Sequence, residues 1–167
     1  MIDRRTVMLG MAAALVAPAS EAGVVDWFNG ARVGAQLPEH DGIFVQGEWR
    51  ADARLVLVDF WATWCAPCIA AIPKLNVIEQ RFGAEGLQVI GVSDEPEAVV
   101  TPFIQRHGID YAIVAGGTKP LRKSLKIRAL PYAVMVDVER RIVWRGQPDA
   151  LGDALIRKLL ASATASA

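Results

Sequence analysis

Cysteine is scarce in this chain. Its 167 residues include two, and both lie within Cys65-Ala66-Pro67-Cys68. A multi-disulfide framework of the sort that holds small secreted domains together is therefore excluded. A bond within the pair would close a very short loop and remove little entropy from the unfolded chain, so it has little value as a staple. Histidine is as rare, with only His40 and His107, and neither stands at zinc-finger spacing from the cysteines. The formal net charge is zero. The basic excess expected of a protein that binds nucleic acid or an anionic membrane surface is missing. There is no internal repeat. The apolar run Val7–Ala17 falls short of the roughly 20 residues that a membrane-spanning helix needs.

What is present suits one folded domain. Hydrophobic residues make up 53% of the chain and charged residues 22%, enough for a core and too little charge for a disordered chain. Residues 1–19 read as an export signal. Arg4 and Arg5 supply the positive end, VMLGMAAALVA the apolar stretch, and Ala17-Pro18-Ala19 a small-x-small cleavage site before Ser20. Arg4-Arg5-Thr6-Val7-Met8 is similar to a twin-arginine signal, although Asp3 stands where Ser or Thr is usual. Both export routes stay open, as does retention of the segment as a membrane anchor. The expected location is the periplasm.

The rest of the chain divides into an extension over 20–54, a core over 55–161 and a tail over 162–167. In the extension, Asp41-Gly42 is a hairpin-type dipeptide, and Ile43–Val45 would form a strand with a partner before it. Leu55–Trp61 is a nearly continuous apolar run, as in a strand buried on both faces. A helix follows over 66–82, with Ile69, Ile72, Leu75, Ile78 and Phe82 on one face. Next come a strand at 87–92, a helix from Pro96 to His107 stopped by Gly108, and a short strand at 111–114. Thr118 is placed to N-cap a helix with Pro120 in its first turn. A hairpin over 133–144 and a helix from about Asp149 to Leu160 end the pattern. Strands alternating with helices give an α/β fold, a mainly parallel sheet with helices on both faces and an antiparallel hairpin at its edge.

Cys65 comes after the buried strand and opens a helix. Unpaired N–H groups and the helix dipole favour an anion there, so the thiolate is stabilised as an exposed anion and Cys65 is the expected nucleophile. Cys68, nearly one turn on, is expected to be more buried and to resolve the mixed disulfide. Pro67 is tolerated because the first turn needs no N–H donor at that point. Four readings compete for the pair: a redox dithiol, half of a zinc site, two ordinary thiols, and a copper-binding pair. The position after a strand and at a helix start favours the first. Asp59 lies in the middle of the buried strand, where a carboxyl is costly and needs a reason. Burial raises such a pKa and fits the group for proton exchange near neutrality; a hydrogen bond to the first turn of the next helix is the alternative.

Val58-Asp59-Phe60-Trp61-Ala62-Thr63-Trp64-Cys65-Ala66-Pro67-Cys68 resembles the active-site stretch of the thioredoxin superfamily. The form FWATWCxPC is most similar to its TlpA-like exported branch. The resemblance runs from about Val33 to Leu160. It implies a thioredoxin-like fold with an N-terminal β extension and one helix-and-strand insertion, here Pro96–Val114. It implies that Leu130–Pro131 is cis and faces the cysteines, where the backbone beside the proline would pair with an extended substrate. It implies that Asp59 relays a proton to the buried thiol, and that Trp64, Pro67 and Leu130 border the substrate site beside Trp61. Pro73 matches the family's helix-kinking proline. The glutamate common three residues after the second cysteine is replaced by Ala71. No cofactor or metal is implied beyond the Cys65–Cys68 pair. The implied activity is reduction of protein disulfides, with apocytochrome c or copper-site assembly proteins as clients and a membrane electron donor. A disulfide oxidase or isomerase, or a binding module without turnover, is the alternative.

Overall fold

The computed structural model describes residues 31–164. The expected export signal and the start of the extension lie outside these residues. Leu55–Trp61 forms β2, a seven-residue strand buried along its whole length. It pairs in parallel with β3 (Leu87–Ser93) and antiparallel with β5 (Tyr132–Asp137). β4 (Ala112–Ala115) lies parallel to β3, and β1 (Ile43–Gln46) antiparallel to β4. β6 (Ile142–Gly146) closes the far edge beside β5, so the six described strands run in the order β1-β4-β3-β2-β5-β6, and with three of the five pairings antiparallel the sheet is mixed rather than mainly parallel.

Strand alternation divides the core into two layers. Leu55, Leu57 and Trp61 face the layer that holds α1 (Ala66–Phe82), α2 (Glu97–His107) and α4 (Asp153–Thr164). Val56, Val58 and Phe60 face the other layer, with α3 (Lys119–Ser124), Leu37 and Ala53. In α1 the buried side is Cys68, Ala71, Ile72, Leu75, Ile78 and Phe82. Leu75 and Phe82 are fully covered, and burial of each contributes about 1.5–3 kcal/mol. Pro73 sits inside the helix and denies the Ile69 carbonyl its usual N–H partner. Among the described residues no helix is long and apolar enough to cross a membrane.

Three local expectations are corrected. The hairpin at Asp41-Gly42 does not form: β1 pairs with β4, and among the described residues no strand before it is its partner. Gly42 instead packs where a Cβ would lie 2.5 Å from Val114 Cγ1 and 2.8 Å from the Gly116 carbonyl oxygen. Thr118 precedes α3 but does not cap it, because its hydroxyl donates to Asp94 Oδ1 at 2.8 Å. The last helix starts at Asp153 rather than Asp149, since Pro148–Ala150 forms a separate 3₁₀ turn.

Candidate active site

β2 ends at Trp61, and four residues later α1 begins with Cys65 as its N-cap. The Cys65 backbone is extended (φ −89°, ψ 92°), its N–H donates to the Ala62 carbonyl at 3.1 Å, and its carbonyl accepts from Ile69 N–H at 3.0 Å. Pro67 falls in the first turn, where a missing N–H costs nothing. No acidic residue occupies that turn, so nothing offsets the positive helix end that favours an anion at Cys65. The two sulfurs are bonded, with Cα atoms 5.2 Å apart.

Cys65 is corrected on one point. It is only 4% exposed, against 2% for Cys68, so the expected nucleophile is not open to solvent when the pair is bonded. Cys65 is part of the apolar cluster that also holds Trp61 and Ala62, against which Leu130 packs. The exposed part of this end is Trp64, at 73%, with Ala66 and Pro67 beside it. Trp61 is buried and its ring lies 5.5 Å from that of Phe103.

Asp59 projects from β2 into the α1 layer, the side of the sheet that carries both cysteines. It is buried, and among the described residues its Oδ1 has no hydrogen-bond partner. Loss of hydration raises its pKa to about 7. A bond to the first turn of α1 is therefore not what accounts for Oδ1. The Tyr111 hydroxyl is pushed upward by burial and by the nearby Asp59 charge. Gly91 pairs with Asp59 across the sheet. A Cβ there would lie 2.6 Å from Ile113 Cδ1, 2.9 Å from Trp61 Nε1 and 3.1 Å from Tyr111 Cε2. Gly91→Ala is expected to lower stability by about 1–3 kcal/mol through overpacking, read as a lower urea midpoint at unchanged slope.

The Leu130–Pro131 peptide is cis and leads into β5. Because Tyr132 pairs with Phe60, this peptide lies beside the end of β2. Trp61, Ala62, Trp64 and Leu130 line a cleft of about 240 Å³ together with Lys119, Arg122, Asp94 and Glu95. Ala71 is on the buried side of α1, so the position where the resemblance implied glutamate holds no charge. His40 Nδ1 accepts from Gly42 N–H, and His107 stacks on Phe103 at 3.7 Å.

Glu95 went unnoticed in the sequence. Its carboxylate accepts from Thr63 N–H at 2.6 Å, from Thr63 Oγ1 at 2.7 Å and from Ser93 Oγ at 3.3 Å. It thereby ties the loop before Cys65 to the end of β3. The Ser93-Asp94-Glu95 turn was readable from Ser93, whose Oγ accepts from Glu95 N–H. The contact with Thr63 was not.

Residues 36–158 match the Redoxin family model. The chain is 29% identical over 89 residues to the thiol-disulfide oxidoreductase ResA of Halalkalibacterium halodurans, covering 53% of this chain and 51% of that protein. It thus spans about half the length of the curated relatives it matches. The thioredoxin domain of a thiol-disulfide oxidoreductase from Bacteroides vulgatus superposes with TM-score 0.65 at 26% identity, covering 77% of this chain and 98% of that one. A thiol:disulfide interchange protein from Bacteroides sp. gives 0.64 at 26% identity, covering 77% of this chain and 88% of that one. The fold is thioredoxin-like.

Proposed function

Since the chain belongs to the Redoxin family, we propose that it is a thiol–disulfide oxidoreductase that reduces protein disulfides through Cys65 and Cys68. One observation carries this reading: the pair sits at the start of α1, bonded across one turn, on the side of the sheet into which the buried Asp59 carboxyl, with a pKa of about 7, projects. In the reduced protein the Cys65 thiolate attacks a client disulfide. A bond forms between Cys65 Sγ and one client sulfur, and the other client sulfur leaves as a thiolate and takes a proton. Cys68 then loses its proton to ionised Asp59 and attacks Cys65 Sγ. The mixed disulfide breaks, the client leaves with both sulfurs reduced, and two electrons have passed from protein to client. A dithiol donor restores the pair.

Because Cys65 is covered, a client meets Trp64 and Pro67 first, with Leu130–Pro131 alongside to pair with its backbone. The reading extends to a periplasmic site of action, a membrane dithiol donor, and apocytochrome c or copper-site assembly proteins as clients.

Insulin reduction by the purified protein with dithiothreitol tests the activity. Turnover is expected, and its absence would leave only a binding module. The equilibrium potential against glutathione tests the direction. A reductant is expected near the low end of the range for such folds, about −270 mV, and a value near −120 mV would mark an oxidase instead.

A further inference from the structure

Residues 111–136 contain five cationic side chains and no carboxylate, although the whole chain is balanced at 18 of each sign. The five are Lys119, Arg122, Lys123, Lys126 and Arg128, and they line one groove. Arg122 is spoken for, held by Asp94 at 2.7 Å. Among the described residues none of the other four is in an ion pair, and all four are exposed. Lys119 and Arg122 also line the cleft formed by Trp64 and Leu130, so the cationic groove and the redox site are continuous. From Arg128 the chain runs straight into Leu130–Pro131.

We infer that this groove selects disulfide clients whose polypeptide carries carboxylates beside the reactive cysteine. The inference rests on the oxidoreductase reading and names the substrate class for the same site. Four unpaired cations along a groove attract an acidic segment and repel a basic one. They flank the place where a client strand would meet the residues before Pro131, so the attraction acts while the sulfurs come together. Their position in a groove, with Trp64 the only large apolar side chain exposed beside it among the described residues, suits a polypeptide better than a flat lipid surface.

The test uses the reduced full chain and two synthetic peptides with the same internal disulfide, one flanked by four aspartates and the other by four lysines. Each rate is divided by that peptide's own rate with dithiothreitol. Bis(2-hydroxyethyl) disulfide serves as an uncharged comparison. The acidic peptide is expected to react about 10-fold faster or more at 20 mM salt, with the advantage falling to within about 2-fold at 500 mM. The double substitution Lys119→Glu with Lys123→Glu is expected to remove the advantage at low salt. Equal rates for the two peptides at low salt, with the uncharged disulfide still reduced, overturn the inference and leave the oxidoreductase reading standing. If the uncharged disulfide also fails to react, both fall. Sedimentation with phosphatidylglycerol vesicles that the double substitution abolishes, without peptide discrimination, assigns the groove to lipid and overturns the inference as well.

Discussion

Cys65→Ser is expected to lower disulfide reduction by at least about three orders of magnitude, the scale of loss when a covalent nucleophile is deleted. Cys68→Ser is expected to stop turnover as well, but at a different step. Its Cys65 still attacks, and the mixed disulfide then persists because no second thiol breaks it. Intact-mass measurement would show one client attached per chain, released by dithiothreitol. The asymmetry follows from the fold: Cys65 occupies the helix N-cap, whereas Cys68 lies on the buried side of α1. If Cys65→Ser collects clients and Cys68→Ser does not, the two roles are reversed.

Asp59→Asn is expected to stabilise the protein at pH 8 and to flatten its stability profile. Burial moves the Asp59 pKa from 3.8 to about 7. The folded chain therefore holds this proton where the unfolded chain has released it. Between those two pH values the folded state binds more protons, so stability falls as pH rises, and the loss is complete above about 7. A shift of about three units corresponds to a cost of about 4 kcal/mol. Asparagine cannot ionise, so urea midpoints of the variant should exceed wild type at pH 8 and converge with it near pH 4. The same change removes the proton acceptor proposed for Cys68, so release of the trapped client should slow and lose its rise with pH near 7. Parallel urea profiles for the two proteins would show that Asp59 does not carry the charge assigned to it.

Much of this site was legible in the sequence because its signals are local. A continuous apolar run marks β2, a helix period marks α1, and the CxxC spacing places both sulfurs at their junction. Gly108, with φ +58°, stops α2 where the punctuation implied. Three features escaped because they depend on residues far apart in the chain, and a fourth for a different reason. β1 consists of four residues at a sheet edge, and its pairing with β4 is settled by tertiary packing rather than by the Asp41-Gly42 dipeptide. Thr118 had a better acceptor in Asp94 than the helix end offered. Burial of Cys65 belongs to an apolar cluster that also draws in Phe103 and Met135, residues far along the chain. The cationic groove was hidden by an overall charge of zero, since summation over the chain erases where charge is gathered.

Glu95 joins two parts of the chain 32 residues apart. On one side is the loop that delivers Cys65; on the other, starting at Pro96, is the helix-and-strand segment that ends in β4. That segment is consequently not a neutral cassette. A chimera that exchanges it for the matching piece of a relative must bring a carboxylate at this junction or keep Glu95, because otherwise Thr63 loses its acceptor and the graft disturbs the reactive loop without touching it.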